Sequence, residues 1–174
     1  MLFTRFAPSP TGYLHRGHLL SALFVFAAAD LFSAKVRLRI EDHDQSRARK
    51  EYIDSIPEDL ERFGFKFESV SLQSNRQALY EKYAQLLFSK QKLYPCSCSR
   101  KKLFEENPVN ADGEVIYSGH CLKNPIDKNS DFALRFKTPD KTITWEDLLL
   151  GKFEENPKNQ CGDFTIKDRI SQWT

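Results

Sequence analysis

The chain of 174 residues has the length of one ordinary domain, and it is 40% hydrophobic, 29% charged and 13% aromatic. These values exclude a disordered, collagenous or low-complexity protein, and no apolar run reaches the roughly 18 residues of a membrane span. Lysine and arginine number 26 against 24 aspartates and glutamates, so net charge alone does not indicate a nucleic-acid-binding protein. We expect no membrane partner and, because no secretory signal is evident, a cytoplasmic location.

The first half of the chain alternates strand patterns with helix patterns. The predicted elements are a strand over residues 2–7, a helix over 17–32, a strand over 35–41, a helix over 50–63 and a strand over 70–72. Apolar positions cover most of the circumference of the first helix, so we expect it to be buried on more than one side. Pro57 predicts a kink or a restart in the second helix.

A third helix is predicted after Asn75, which would be its N-cap. Beyond residue 92 the pattern is less regular, with a strand over residues 132–137 and a short helix near 145–150. The alternation predicts an α/β fold that contains the first half of a doubly wound parallel sheet and a smaller insertion. We divide the chain into a nucleotide- and amino-acid-binding half, an insertion, and a return towards the core, over residues 1–93, 94–130 and 131–174.

Two histidines lie at the predicted start of the first helix, directly after a loop rich in proline. His15 and His18 are three residues apart, where free N–H groups and the helix dipole favour an anion. Their rings can donate hydrogen bonds to phosphate oxygens, and Gly17 would let a flat ligand approach the backbone. A histidine pair at this spacing is more often a helix cap or a solvated pair, and a metal pair is a smaller alternative.

These motifs resemble those of a known family. The histidine pair resembles the H-I-G-H signature of class I aminoacyl-tRNA synthetases, and residues 5–18 resemble its glutamyl branch; residues 39–44, R-I-E-D-H-D, resemble that branch's second segment. Residues 43–47 and 161–164 look most like the glutamyl-Q tRNA(Asp) synthetases, which lack an anticodon-binding domain and attach glutamate to queuosine in the anticodon of tRNA(Asp). The resemblance covers essentially the whole chain and implies a Rossmann-like catalytic domain with a zinc-binding insertion.

The resemblance also implies roles for individual residues. Arg5 would pair with the side-chain carboxylate of glutamate, since a guanidinium fork matches a carboxylate, and Glu41 would hold the α-ammonium group. Ala7 and Ser9 would line the same pocket. The implied ATP site consists of Pro8, Pro10, Thr11, Gly12, His15, Gly17 and His18, the last three being catalytic. From the strand order alone, Arg5 and Glu41 either meet in one crevice or pair with each other.

Cysteines form a second constellation. Cys96 and Cys98 are separated by one residue, and Tyr117 and Cys121 follow. Cytosolic chains rarely keep disulfides, and converging thiolates suit tetrahedral zinc, so the pattern favours a metal site, with buried reduced cysteines as the alternative. The resemblance implies that Cys96, Cys98, Tyr117 and Cys121 hold a structural zinc. The alternative fourth ligands are His120 and Cys161.

The activity implied by the resemblance is ATP-dependent activation of glutamate, with Mg²⁺ accompanying the ATP, and transfer of glutamate to tRNA(Asp). A K-M-S-K-like motif is missing, and the nearest strings begin at Ser99 and Thr165. A truncated relative that binds a nucleotide, glutamate or tRNA is therefore the alternative. A discriminating glutamyl-tRNA synthetase and a structural zinc protein are the third and fourth interpretations. With a 3-2-1-4-5 strand order the first strand would lie at a sheet edge, so we expect self-association there or a longer product.

Overall fold

The computed structural model describes residues 1–44, 46–126, 131–169 and 173. Gln45 of the second motif and the predicted boundary at residue 130 lie outside these residues. The chain divides into two units, Met1–Glu81 and Lys82–Thr174. None of the helices in the described part of the chain has the length and apolar character that crossing a membrane requires.

The first unit contains a parallel sheet and the helices that connect its strands. Its elements are β1 (Phe3–Phe6), α1 (Arg16–Leu31), β2 (Lys35–Ile40), α2 (Lys50–Arg62) and β3 (Ser69–Leu72), and α3 (Gln77–Ser89) begins near its end. The strand order is β1-β2-β3, and both pairs are parallel. This confirms the predicted parallel α/β arrangement, with β1 at the edge of the sheet, as in the first part of a doubly wound fold.

The two faces of this sheet differ because the side chains of β2 alternate between them. Val36, Leu38 and Ile40 are buried, whereas Lys35 and Arg37 on the opposite face are exposed. The core on the buried face also contains residues of β1, α1 and α2, namely Phe6, Ala22, Ala29, Ile56 and Leu60. The sheet therefore buries an aliphatic face and exposes a basic one.

Helix α1 is buried on one side only, contrary to the expectation from its sequence. Ala22 and Ala29 are buried, whereas Leu23 and Phe24 are 57% and 56% exposed. Small side chains allow the helix to approach the core closely, and the large apolar ones on its outer side have no cover among the described residues. The apolar pattern alone did not distinguish these two sides.

Helix α2 runs through Pro57 as one element, so the predicted restart is wrong. A proline inside a helix removes one backbone hydrogen bond and costs roughly 3 kcal/mol. Ile56 and Leu60 on the same helix are fully buried, and this tertiary packing offsets the loss.

The start of α3 also differs from the prediction. Ser74–Arg76 forms a single 3₁₀ turn before the helix, so Asn75 lies in that turn and is not the N-cap. The carboxylate of Asp42, two residues after β2, accepts hydrogen bonds from the backbone N–H of Ser74 at 2.8 Å and from its hydroxyl at 2.5 Å. A contact from a residue distant in the sequence therefore fixes the conformation of this turn.

Short antiparallel strands build the second unit. Its elements are β4 (Leu93–Cys96), α4 (Arg100–Glu106), α5 (His120–Lys123), β5 (Ala133–Phe136), β6 (Ile143–Asp147), β7 (Gly151–Glu155), α6 (Pro157–Cys161) and β8 (Thr165–Lys167). Strands β4, β5 and β8 form one sheet in that order, and β6 and β7 form a separate hairpin. Strand β5 confirms the strand predicted over residues 132–137.

The short helix predicted near residues 145–150 is wrong, because β6 extends to Asp147 and residues 148–150 form a turn. The ring of Trp145 stacks on Phe153 of β7 with centroids 5.4 Å apart. The carboxylate of Asp147 accepts hydrogen bonds from the backbone N–H groups two and three residues later, both at 2.9 Å, and closes the turn. Cross-strand aromatic pairing and this turn outweigh the helical spacing of the apolar residues.

Candidate active site and cysteine cluster

The loop after β1 is attached to the chain that follows β2 by backbone hydrogen bonds. The N–H of Glu41 donates to the carbonyl of Pro8 at 2.9 Å, and the N–H of Arg49 donates to that of Pro10 at 3.3 Å. Both prolines are buried. The other predicted loop residues are half-buried or exposed, namely Ala7, Ser9, Thr11 and Gly12. The loop and the second motif therefore lie together, as neighbouring parallel strands predict.

His15 and His18 cap α1 reciprocally. The Nδ1 atom of His15 accepts a hydrogen bond from the N–H of Gly17 at 3.1 Å, and that of His18 accepts one from the N–H of His15 at 3.2 Å. In a neutral imidazole whose Nδ1 is an acceptor, the proton lies on Nε2. The cap and the predicted role as phosphate donors are therefore compatible, because each Nε2–H remains available to a ligand.

The surroundings of His18 favour its neutral form. Burial, together with the neighbouring His15, lowers the pKa of His18 below the ordinary value of 6.5, so this imidazole is neutral at pH 7. The ring centroids of the two histidines are 4.0 Å apart. A neutral His18 donates a hydrogen bond without the repulsion that two imidazolium groups would create at this distance.

Gly17 lies close to the imidazole that caps the helix. A Cβ atom at this position would lie 3.0 Å from Cε1 and 3.2 Å from Nδ1 of His15. A larger residue would therefore press on this ring, which would have to shift by a few tenths of an ångström. This reason for a glycine stands beside the predicted approach of a flat ligand, which stays a prediction.

Glu41 pairs with Arg39 and not with Arg5 in the part of the chain that the structure describes. The Nε atom of Arg39 donates to Oε1 of Glu41 at 2.5 Å, and Nδ1 of His43 lies 3.7 Å from Oε2. Arg5 is exposed and lines a cavity of about 680 Å³ with Ala7 and Arg39. Arg5 is thus accessible to a ligand, and the interpretation that it neutralises Glu41 is wrong.

The second motif is stabilised by local hydrogen bonds to a carboxylate. Asp44 accepts hydrogen bonds from the hydroxyl of Ser46 at 2.5 Å and from Nε of Arg47 at 2.6 Å. These contacts lower the pKa of Asp44 to about 2. The group is therefore ionised at any pH at which the protein would act.

In the second unit, three thiols and a phenol converge. The sulfur atoms of Cys96, Cys98 and Cys121 all lie within 4.8 Å of one another. The hydroxyl of Tyr117 is 3.4 Å from the sulfur of Cys96 and 3.6 Å from that of Cys98, and the sulfurs of Cys98 and Cys121 are 3.4 Å apart. A tetrahedral zinc with thiolate ligands places its sulfur atoms ~3.8 Å apart, so these donors fit zinc.

The surroundings of Tyr117 hold its oxygen towards the thiols. Its side chain is 2% exposed, its oxygen accepts a hydrogen bond from the N–H of Cys121 at 2.9 Å, and the guanidinium of Arg135 lies over its ring at 3.9 Å. The two alternative ligands have other contacts: His120 Nε2 is 3.2 Å from Lys102 Nζ, and the thiol of Cys161 donates to a backbone carbonyl at 3.2 Å. The geometry therefore favours Tyr117 as the fourth donor.

The thiols of the cluster differ in acidity. Burial raises the pKa of Cys98 to about 11. Burial also acts on Cys121, but hydrogen bonds from Tyr117, the N–H of Ser97 and Cys98 outweigh it and lower the pKa of Cys121 to about 7. Cys121 therefore becomes a thiolate, the form that binds metals, more readily than Cys98 does.

Sequence reasoning missed the role of Asp163, which is completely buried. Its carboxylate accepts hydrogen bonds from the hydroxyl of Tyr94 at 2.6 Å and the N–H of Thr138 at 3.0 Å, and it pairs with Lys158. Its carbonyl oxygen accepts a hydrogen bond from Arg135 at 2.6 Å. A single acidic residue in an irregular segment carries no periodic signal, and only the glycine before it indicates a tight turn.

The fold and these motifs together define the class of the protein. The first strand of the parallel sheet leads through a loop into a helix that a histidine caps. This corresponds to the class I synthetase arrangement that the sequence resembles. The sequence model of the family described as tRNA synthetases class I (E and Q), catalytic domain, matches residues 1–171. The chain belongs to this family.

Individual relatives carry two different names. The chain is 36% identical over 173 residues to a glutamate–tRNA ligase of Aquifex aeolicus and to a glutamyl-Q tRNA(Asp) synthetase of Neisseria meningitidis serogroup B. These alignments cover 94% and 97% of this chain but 36% and 58% of the two relatives. The structure also superposes on a crystal structure of a glutamate tRNA ligase from Elizabethkingia meningosepticum in complex with its amino acid, with a TM-score of 0.80 and 26% sequence identity. This superposition covers 99% of this chain and 39% of that one.

Proposed function

We propose that the chain carries the glutamate- and nucleotide-binding part of a glutamyl-Q tRNA(Asp) synthetase, which would act in the cytoplasm. It would activate glutamate with ATP and transfer it to queuosine in the anticodon of tRNA(Asp). The observation that carries the proposal is the hydrogen bond from Glu41 to Pro8, which holds the first motif beside the second. The preference for the glutamyl-Q type over a discriminating glutamyl-tRNA synthetase depends on the resemblance of residues 43–47 and 161–164.

Glutamate would be bound between two opposite charges. Arg5 would bind its side-chain carboxylate through two hydrogen bonds, and Glu41 would accept hydrogen bonds from its α-ammonium group. Ala7 and Ser9 would line the pocket between them. Arg39 already donates to one oxygen of Glu41, but an ionised carboxylate offers about four acceptor sites, so capacity remains for the ammonium group.

Activation would take place at the start of α1. An oxygen of the glutamate α-carboxylate would form a bond to the α-phosphorus of ATP, and the bond from that phosphorus to the bridging oxygen would break, releasing pyrophosphate. The Nε2–H groups of His15 and His18 would stabilise the charge that develops on the phosphate. Mg²⁺ would accompany the ATP, and the backbone of the loop would shape the nucleotide site at Pro8, Pro10, Thr11, Gly12 and Gly17.

Glutamate-dependent pyrophosphate exchange tests this proposal. His18→Ala should lower the exchange rate by roughly 10²–10³-fold, the effect of removing one donor to a developing negative charge. His120→Ala is the matched control, because it removes an imidazole from the second unit and should leave the rate unchanged. An unchanged rate in His18→Ala would remove this residue from the mechanism.

A second candidate is a binding module that cannot complete the reaction. The 174 residues contain no K-M-S-K-like string, so these residues alone leave this candidate open. Calorimetry with ATP and with glutamate, beside aminoacylation of queuosine-containing tRNA(Asp), separates the two candidates. Binding of both small molecules without exchange or aminoacylation would select the module.

For the second unit, we propose a structural zinc site in the predicted insertion, residues 94–130. Cys96, Cys98 and Cys121 would bind through sulfur and Tyr117 through its oxygen. The metal would lower the pKa of the phenol, which burial alone raises. Four protein ligands would leave no position for a reactive water, so the metal would stabilise the fold and take no part in the reaction.

Metal analysis of the purified chain tests the zinc site. About one zinc per chain is expected, and Cys96→Ser should remove most of it. Cys161→Ser and His120→Ala are controls that should keep it, because both side chains have partners outside the cluster. Loss of zinc from either control, but not from Cys96→Ser, would contradict the proposed ligands.

Self-association is a further proposal, and it would occur through β1, which is an edge strand among the described residues and would offer its outer backbone groups for pairing. A second copy could add its own β1 there. Size-exclusion chromatography with light scattering should then give a mass above 20.2 kDa that rises with concentration. A monomer at all concentrations would contradict it.

A further inference from the structure

The exposed face of the parallel sheet carries a cavity lined by four arginines. Arg5, Arg37, Arg39 and Arg76 line a volume of about 680 Å³ together with Ser71. Arg5 is paired in register with Arg37 on the neighbouring strand, and Arg39 is paired with Ser71. Paired residues in adjacent strands point to the same face, so the strand register itself gathers these side chains.

Most of this positive charge has no counter-charge within the described ranges. Arg39 pairs with Glu41, but no ion pair involves the other three guanidinium groups, and no acidic residue lines the cavity. Arg37 lies over the ring of Phe3 at 3.8 Å, and Arg76 lies 5.7 Å from the ring centre of Tyr80. The aromatic rings orient the two cations without neutralising them, which leaves a site complementary to a multiply charged anion.

We propose that Arg37, Arg76 and Ser71 form a binding subsite for phosphate groups on this face of the sheet. The inference goes beyond the proposed function, in which Arg5 alone takes a carboxylate and neutralises a single charge. Guanidinium forks bind two phosphate oxygens at once, and the Ser71 hydroxyl is a further donor. The phosphates would come either from free pyrophosphate or from the backbone of an RNA, and both sources present the same chemistry.

Calorimetry on the complete 174-residue chain tests the subsite, with inorganic pyrophosphate in one series and a short single-stranded RNA in another. Arg37→Ala and Arg76→Ala should each weaken binding of the recognised ligand about tenfold or more, as expected for loss of a charge-assisted hydrogen bond. Arg62→Ala is the matched control, because it removes an exposed arginine of α2 that lies outside the cavity. It should change the affinity by less than about twofold.

The two ligand series identify the source of the phosphate. Binding of pyrophosphate alone assigns a free ligand. Binding of RNA assigns a nucleic acid, provided that the slope of log affinity against log salt concentration becomes shallower by about one phosphate contact in Arg37→Ala. Binding of neither ligand, or equal weakening by Arg62→Ala, overturns the proposal. If circular dichroism shows that Arg37→Ala is unfolded, Arg76→Ala and Arg37→Lys decide, since lysine keeps the charge and loses the fork.

Glutamate binding is measured in the same variants to separate this inference from the proposed function. Arg37→Ala should bind glutamate as the unmodified chain does. Suppose that the unmodified chain binds phosphate but no glutamate, and that Arg37→Ala loses the phosphate binding. The proposed function then fails and the subsite stands. If glutamate binds and phosphate affinity is unchanged in both alanine variants, the subsite fails alone.

Discussion

The polar residues that matter in the two units differ in their exposure. In the first unit, Arg5 and His15 are exposed and offer their polar groups to solvent. In the second, Tyr117 and Asp163 are 2% and 0% exposed and bond to other protein groups. The first set is accessible to a ligand, while the second makes hydrogen bonds within its own unit. Substitutions should therefore weaken binding in one unit and reduce the free energy of unfolding in the other.

The chain provides a natural probe for this contrast. Both of its tryptophans, Trp145 and Trp173, belong to the second unit. Tryptophan fluorescence during urea unfolding therefore reports the second unit, and amide hydrogen exchange in α1 reports the first. Using the two signals separately avoids the assumption that the whole chain unfolds in one step.

The largest effect on stability is expected for Gly162→Ala. Gly162 has a φ of 64° and forms a β-bridge with Tyr117, and an added Cβ would overlap the carbonyl oxygen of Tyr117 and lie 2.6 Å from its nitrogen. Backbone strain and overpacking together should lower the free energy of unfolding by roughly 3 kcal/mol or more, seen by tryptophan fluorescence. Gly113→Ala is the matched control: its φ is 80° but nothing lies within 4 Å, so a loss of only about 1 kcal/mol is expected.

The next effect is expected for Asp163→Asn. The substitution keeps the shape of the side chain but removes the negative charge that pairs with Lys158. It also replaces one of the two carboxylate oxygens, which accept hydrogen bonds from Tyr94 and Thr138. Since Lys158 is 32% exposed and can partly recover its hydration, we expect a loss of about 2 kcal/mol. Asp131→Asn, at an exposed position of the same unit, should change stability by less than about 0.5 kcal/mol. Equal effects in the two variants would contradict the buried network.

This contrast also explains how much could be predicted from the sequence. The alternation of β2 and the motif over residues 5–18 are local patterns, so the parallel sheet and the place of the histidine pair could be predicted. The turn before α3 depends on Asp42, 32 residues away from Ser74, and the β6–β7 hairpin depends on pairing across the strands. Interactions between distant residues leave no periodic signal, and this is why Asp163 was missed.

A smaller effect is expected where the first unit uses its histidine cap. His15→Ala removes the acceptor for the N–H of Gly17 and should destabilise the first turn of α1 by about 1 kcal/mol, measured as faster amide exchange there. The tryptophan signal should not change. His15→Asn restores a capping acceptor but lacks the Nε2–H donor. It should therefore restore the amide exchange rates in α1 but not the rate of glutamate-dependent pyrophosphate exchange. Recovery of both by asparagine would show that His15 acts only as a cap.

Arg5→Ala should have the smallest effect on folding and a large effect on binding. Its guanidinium is exposed and shares a cavity with three other arginines, so removing it eliminates no ion pair among the described residues and relieves like-charge repulsion. The free energy of unfolding should therefore change by less than about 0.5 kcal/mol, with any gain appearing at low salt and disappearing as salt screens the charges. Glutamate affinity, measured by calorimetry, should fall at least tenfold, since a charge-assisted pair is lost. A loss of stability above about 1 kcal/mol would mean that Arg5 supports the fold as Asp163 does, and the contrast between the two units would then fail at the residue on which the proposed glutamate binding most depends.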